Sequence, residues 1–324
     1  MINKVKPPRH SPKAVTKRRE DVKRLTYKGL LQEELKFLRS HTKKCDKNSM
    51  PAGRWVKPND VRLWDPFITV DDVEALWEGL PELNKAMEEE VTECDLRRAG
   101  PHNPNFGAII EEIDFEILWR STCHPRINLV NEIFRKYRPG ATSTSEDHYI
   151  KMGGGSSAKW ISPNADPAAT DAKRGKKPDH SGFMFEGAES QYDANNPKTV
   201  YNRIPGDAKL FRKIRRSWLP PDGSTYLAGQ KRREAEKVLS QIHGYMDMHE
   251  ARYGYIVTDE ELIFLRRREG KWGQLDISPA IRHDVRPDRE SGVLNSLYVM
   301  FYFHWKVAND DGPDGWRLES YGKT

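Results

Sequence analysis

The sequence predicts an α/β (α+β) fold: a mixed central sheet flanked by helices, with a helical extension ahead of it. Three observations carry this reading. Stretches with apolar residues at i, i+3/i+4 and i+7 alternate with short runs rich in β-branched and aromatic residues. The middle of the chain reads helix, strand, strand, strand, helix, strand. Finally, 324 residues with 9 Trp, 12 Tyr and 11 Phe can bury a sizeable core, although hydrophobic residues make up only 36%. Neither an internal repeat nor a heptad pattern is present.

Residues 1–60 read as a basic tail and linker, disordered to residue 24, with one short amphipathic helix over Leu25–Leu38. The body is expected over residues 61–310, and 311–324 read as a C-terminal tail. In the body a helix starts at the N-cap Thr69, with Asp71 and Asp72 in its first turn and Val73, Leu76, Trp77 and Leu80 at helical spacing. Gly79 to Pro81 ends it, and a second helical stretch covers Glu82–Thr92. Ile109, Ile110, Ile113 and Ile117 predict a core-facing helix over Asn105–Trp119, with Glu112 and Glu116 along the same face; Arg126–Tyr137 forms another. An unpaired carboxylate on an apolar stripe is costly, so each acid needs a cation, an amide, a metal or access to water.

His148–Met152 reads as a short strand, and the Gly, Ser, Pro and Asp of residues 153–177 as a long loop. Asp179–Glu186 and Thr199–Lys209 are expected as a hairpin, joined through Asp193, Asn195, Asn196 and Pro197. An amphipathic helix follows over Gln230–Glu250. Strands at Tyr253–Val257, Leu262–Arg266 and Gln274–Ile277 lead to a last helix, Val293–Val307. That segment is fifteen residues long and holds Asn295, Ser296, His304 and Lys306, too short and too polar for a bilayer span.

The net charge of +6 is unevenly spread. Residues 1–48 hold 15 Lys/Arg against 5 Asp/Glu, so the tail carries +10 and the remainder −4. Such an arm suits a phosphate backbone or a nuclear-import receptor, or serves only to solubilise. Cys45, Cys94 and Cys123 are too few and too scattered for a disulfide framework or a cysteine zinc site, which points to a reducing compartment. Lys4, Lys6, Pro7, Pro8 and Arg9 stand where a secretory signal needs an apolar stretch, so nuclear or cytoplasmic placement is expected, with no membrane partner.

Several chemistries fail on spacing. Gly153 to Lys159 departs from a phosphate-binding P-loop at Ala158 and Trp160. His249-Glu250 begins an H-E-x-x-H pattern, but Tyr253 replaces its second histidine. A nucleophile elbow and a dinucleotide fingerprint are both missing.

What remains is acidic. Pro178-Asp179 opens one predicted strand, and Asp207-Ala208-Lys209 closes the next, 28 residues later. Alternation along a strand puts Asp207 and Lys209 on one face and Ala208 on the other. Two carboxylates can hold a hard divalent cation through oxygen, and a neighbouring ammonium can position water or meet developing charge. Each residue also has an ordinary reading: a turn residue for Asp179 and Asp207, a solvated strand end for Lys209.

These residues, with Ile204-Pro205-Gly206 ahead of the second acid and the run Ala251-Arg252-Tyr253-Gly254-Tyr255-Ile256-Val257-Thr258-Asp259-Glu260-Glu261-Leu262, resemble the PD-(D/E)XK nuclease superfamily. More narrowly they resemble the nuclease-like proteins abundant in filamentous fungi. The resemblance spans roughly Phe106 to Lys306 and implies a restriction-endonuclease-like sheet. It implies Mg²⁺ (or Mn²⁺) on Asp179 and Asp207, with Lys209 assisting the attacking water. A further acid from the preceding helix is assigned to Glu116, with Glu112 in reserve, and Gln241 takes a polar position on the helix after the third strand. The implied activity is hydrolysis of nucleic-acid phosphodiesters, DNA more than RNA. A catalytically inactive nuclease-fold module that binds nucleic acid or protein is the alternative. Lys213, Arg215 and Arg216 are candidate backbone contacts and Trp218 a candidate stacking surface, or all four form a solvated loop face. The polar His180-Ser181-Gly182 and the insertion before Asp179 depart from a buried central strand of a minimal nuclease.

Overall fold

Alternation along two central strands sorts the side chains into two cores. In the computed structural model, which describes residues 25–37, 58–100, 109, 111–137, 149–154, 178–185, 202–219, 230–269, 273–309 and 315–319, every residue of Tyr253–Val257 is buried. Tyr253, Tyr255 and Val257 join one core, and Ile256 joins the other. On the neighbouring strand Leu262 and Phe264 face the first core while Ile263 and Leu265 face the second. A strand covered on both sides reads as a continuous apolar run, as these do.

The elements in chain order are α1 (Tyr27–Leu31), β1 (Asp60–Leu63), α2 (Val70–Glu78), α3 (Pro81–Met87), α4 (Glu93–Arg98), α5 (Glu112–Lys136), β2 (Tyr149–Gly154), β3 (His180–Phe185), β4 (Gly206–Ala208), α6 (Gln230–Met248), β5 (Tyr253–Val257), β6 (Glu261–Arg267), β7 (Gln274–Ile277), β8 (Ile281–Arg282) and α7 (Ser296–Asn309). The sheet runs β1-β7-β6-β5-β4-β3-β2, with β8 also beside β6. It is mixed: β1 lies parallel to β7 and β4 parallel to β5, and the other pairs are antiparallel. Helix α6 is the crossover between β4 and β5 and supplies Ala235, Val238, Leu239, Ile242 and Met246 to the smaller core. Helices α5 and α7 supply much of the larger core on the opposite face.

Several expectations change here. From residue 112 on, the two helices expected over Asn105–Trp119 and Arg126–Tyr137 are one 25-residue helix, α5, with Pro125 inside it, and residues 105–108 and 110 lie outside the described residues. Pro125 has no N–H for the Ser121 carbonyl four residues back. Gly100, at φ +80°, packs there, and a Cβ on it would come within 2.6 Å of that oxygen. The helix begins at a capping box in which Glu111 and Asp114 exchange side-chain and backbone bonds. That start turns Phe115, Leu118, Trp119 and Cys123 inward. Ile113 and Ile117, expected in the core, are 50% and 58% exposed.

Strands β1 and β8 were not expected; β1 falls at the end of the supposed linker. The expected boundaries at 61 and 310 also cut through packed chain. Tyr27, Leu30, Leu31 and Leu35 belong to the larger core, and Asn295 Nδ2 donates to the Leu31 and Glu33 carbonyls at 3.0 and 3.1 Å. At the other end Trp316 and Leu318 are buried, and backbone bonds join Arg252 N to Trp316 O and Leu318 N to Glu250 O. The fully buried guanidinium of Arg267 donates to the carbonyls of Leu318 and Glu319. Residues 1–24 and 38–57, the expected loop 155–177 and the expected turn over 186–201 lie outside the described residues. Among the described residues no helix is long and apolar enough to cross a membrane.

The expected hairpin is present as the antiparallel β3–β4 pair, with His180 opposite Gly206. Gly206 itself is fixed by contact: the ring of Tyr255 on β5 lies against it, and an added Cβ would stand 2.1 Å from the ring's Cζ. Neither β4 nor β5 can retreat without parting the ladder. Gly206→Ala is therefore expected to lower stability by about 3 kcal/mol or more, in the upper range for overpacking. Chemical denaturation followed by far-UV circular dichroism measures it, and an unchanged midpoint would contradict the contact.

Candidate functional site

The start of β3, the end of β4 and the first two turns of α5 meet at one place. Asp207 lies on β4 beside Ile256 and is fully buried. Lys209 follows one residue past the strand's end, where its N–H bonds Val257 O at 2.8 Å, and Ala208 between them turns into the larger core. Strand alternation thus brings the carboxylate and the ammonium together: Lys209 Nζ stands 2.7 Å from Asp207 Oδ2. Asp179, just before β3, reaches the same spot across the β3–β4 pair. Its Oδ2 accepts the Ala208 N–H at 2.9 Å and stands 4.0 Å from Lys209 Nζ.

Helix α5 adds two more acids at i, i+4 spacing. Glu112 accepts from Lys209 Nζ at 3.2 Å through one oxygen and from Lys213 Nζ at 2.7 Å through the other. Glu116 pairs with Arg120, whose guanidinium also donates to the Asp179 carbonyl. Glu112, the reserve candidate, is thus the acid that touches the lysine; Glu116 lies on the Asp179 side. The side chains of Asp179 and Glu112 are 27% and 28% exposed, so the cluster opens to solvent through these two.

Burial and charge act together on the titrations. Burial pushes the Asp207 carboxyl well above the usual carboxylate range, and Asp179 beside it adds to this against the pull of Lys209. Burial works to lower Lys209, but Asp207, Glu112 and Asp179 outweigh it and hold the ammonium charged, above its ordinary value. Glu112 is driven up by burial, yet Lys209 and Lys213 bring it below its ordinary value. Glu116 is raised by burial and then by Asp179, with Arg120 opposing.

Gln241 of α6 donates to Tyr245 OH at 2.9 Å. The buried Tyr245 phenol is raised by burial and then by Asp207, which places this pair at the α6 side of the acids. Tyr245 was not singled out in the sequence, although its i+4 spacing from Gln241 is visible there. The same spacing links Arg120 to Glu116.

The basic candidates are dispersed. Lys213 belongs to the cluster through Glu112. The Arg215 guanidinium stacks 3.7 Å above the Phe211 ring and lies 5.9 Å from that of Trp218. Arg216 is buried, its Nε donating to Ser278 O at 2.6 Å and its Nη1 to Leu219 O at 3.0 Å, so it fastens a 3₁₀ turn to the sheet. Trp218 is also buried, with Lys231 Nζ 5.6 Å from its ring. The structure therefore brings Asp179, Asp207, Lys209, Glu112, Glu116 and Lys213 together, and leaves Arg215, Arg216 and Trp218 in a separate packed turn.

The donors in the cluster are carboxylate oxygens, the hard ligands that Mg²⁺ and Mn²⁺ take. Asp207 Oδ1 is buried without a hydrogen-bond partner. Among the described residues no three His, Cys, Asp or Glu side chains are disposed as a metal-binding group. The cation amid these acids is the Lys209 ammonium.

In comparisons with known proteins, no family model matches the chain, and neither a curated protein nor a solved structure is detectably similar to it.

The lowered Glu112 carboxyl gives a pH signature. A group that binds protons less readily when folded contributes stability that is complete above its unfolded value, here about 4.5, and is lost as pH falls through its folded value. Glu112→Gln removes that contribution. The gap in urea midpoint between wild type and variant is expected to be widest at neutral pH and to shrink as the pH falls below about 4.5. A gap independent of pH would show that the two lysines do not hold Glu112 ionised.

Proposed function

We propose that the protein is a metal-dependent hydrolase of nucleic-acid phosphodiesters, nuclease-like in chemistry, with DNA the nearer substrate than RNA. The observation that supports it is the convergence of Asp179, Asp207 and Lys209, brought by strand pairing to one cluster with Glu112 and Glu116 that reaches solvent through Asp179 and Glu112. Asp179, Asp207 and Glu116 would hold Mg²⁺ or Mn²⁺. The bound ion would supply Lewis-acid activation of water and charge neutralisation at the phosphate.

The chain's own groups supply the rest. Lys209 is held charged by three carboxylates, so it donates: it orients water and meets charge developing on the phosphoryl oxygens rather than taking a proton. Lys213 provides a second ammonium beside it for a phosphate oxygen. Burial of Asp207 puts its carboxyl in a low-dielectric setting, where the Lys209 ammonium 2.7 Å away opposes the rise that burial causes. The basic residues 1–48, most of which lie outside the described residues, would add sequence-independent contact with the phosphate backbone.

A second reading has its own support. Asp207 is closed off and already paired with Lys209, and Arg216 and Trp218 are committed to packing, as in a catalytically silent nuclease-fold module that binds nucleic acid or protein. The two readings separate in one assay. Supercoiled DNA, and RNA in parallel, are incubated with the full chain and Mg²⁺ or Mn²⁺. Cleavage is expected, reduced about 100-fold or more in Asp179→Asn, Asp207→Asn and Lys209→Met, the scale of loss for groups acting directly on the reacting centre. Retained cleavage in all three variants would rule the site out. Salt-dependent binding without cleavage would favour the silent module.

A further inference from the structure

Lys209 is not beside the acids but among them. Its Nζ lies 2.7 Å from Asp207 Oδ2, 3.2 Å from Glu112 Oε1 and 4.0 Å from Asp179 Oδ2, and it also donates to Ala208 O at 3.0 Å. Its side chain is 8% exposed, so these oxygens rather than solvent satisfy the ammonium. A divalent cation held by the carboxylates of Asp179 and Asp207 would have to enter the space beside them that the Lys209 ammonium now fills. Divalent ions of this kind take carboxylate oxygens at about 2.1 Å. With the ammonium 2.7 Å from Asp207 Oδ2, an ion on the same carboxylates would be close to it, with little water between them to screen the repulsion.

We infer that Lys209 is a tethered counter-ion that competes with a divalent cation for the carboxylates of Asp179 and Asp207, and that Glu112 is the anchor to which it withdraws when the cation binds. The inference rests on the metal-dependent reading above and adds to it a competition that the chain itself imposes. Glu112 suits the anchor role on geometry. One of its oxygens already bonds Lys209, Lys213 holds the other at 2.7 Å, and it lies on the open side of the cluster. A lysine has a flexible four-carbon stem, so its ammonium can leave Asp207 and keep Glu112 without moving the strand. The charges fit as well. Asp179, Asp207, Glu112 and Glu116 face Lys209, Lys213 and Arg120, and a divalent ion added without displacement would stand against the Lys209 ammonium.

The test uses the full chain, cleared of metal with a chelator, and Mn²⁺ alone as the probe. Isothermal titration is expected to show Mn²⁺ binding about tenfold or more tighter to Lys209→Met than to wild type, since the variant keeps the stem's bulk and removes the competing charge. In wild type, acetylation of Lys209 by a water-soluble anhydride, read by mass spectrometry, is expected to rise severalfold when Mn²⁺ is added, while exposed lysines stay constant. Should Lys209→Met fail to fold, the wild-type labelling decides alone. Mn²⁺ binding to wild type with no gain in the variant and no change in Lys209 labelling would overturn the competition and leave the metal reading standing. Failure of Mn²⁺ to bind either protein would overturn both.

Discussion

The ion pair between Asp207 and Lys209 constrains everything around it. Taking two opposite charges out of water is costly, and their attraction repays the cost only when geometry is good and the remaining valences are met. Here the ammonium is met by Asp207, Glu112, Asp179 and a carbonyl, while the buried Asp207 carboxyl lies between Lys209 and Asp179.

The sheet explains why the pair sits where it does. Strand β4 pairs antiparallel with β3 and parallel with β5, so the sense of pairing changes at this strand. A parallel neighbour requires a crossover, and α6 provides it, leaving the carboxyl end of β4 uncovered by a tight turn. Lys209 occupies that end. In open α/β sheets such positions collect functional side chains because strand ends diverge there while the backbones behind them stay rigid. The close contact of Gly206 with Tyr255 serves the same rigidity: the residue before Asp207 is pressed against β5, which fixes the height at which the carboxylate emerges.

Local patterns gave away much of this. The D-x-K alternation foretold that Asp207 and Lys209 share a face and that Ala208 leaves it, and the i, i+4 spacing kept Glu112 and Glu116 on one side of a helix. The long-range partners were not legible. Ile113 and Ile117 satisfied a helical period, but a capping box at Glu111 and the greater bulk of Phe115, Leu118 and Trp119 decided which face turned inward. The helices expected to end at Trp119 and to begin at Arg126 are one continuous helix through Pro125, packed at Ser121 by Gly100 from 25 residues earlier in the sequence. Arg216 looked like a surface cation because its acceptors, Ser278 O and Leu219 O, are visible only once the sheet is formed. Strands β1 and β8 were lost for a related reason: at four and two residues they carry almost no periodic signal, and pairing with β7 and β6 alone makes them strands.

Helix α5 ties the acids to the rest of the molecule. Its amino end, carrying Glu112 in the first turn, points at the cluster, so the partial positive charge of a 25-residue helix favours anions at that spot. Two opposing demands are thereby balanced. Four carboxylates in one place repel one another, and the helix terminus, Arg120, Lys209 and Lys213 together hold them, with Glu112 serving both lysines at once. Asp179 and Glu112 remain open to solvent while Asp207 does not, so under the proposed metal-dependent reading an incoming cation would meet the exposed acids first and would reach the buried one only with Lys209 displaced. The order of access would then be set by burial.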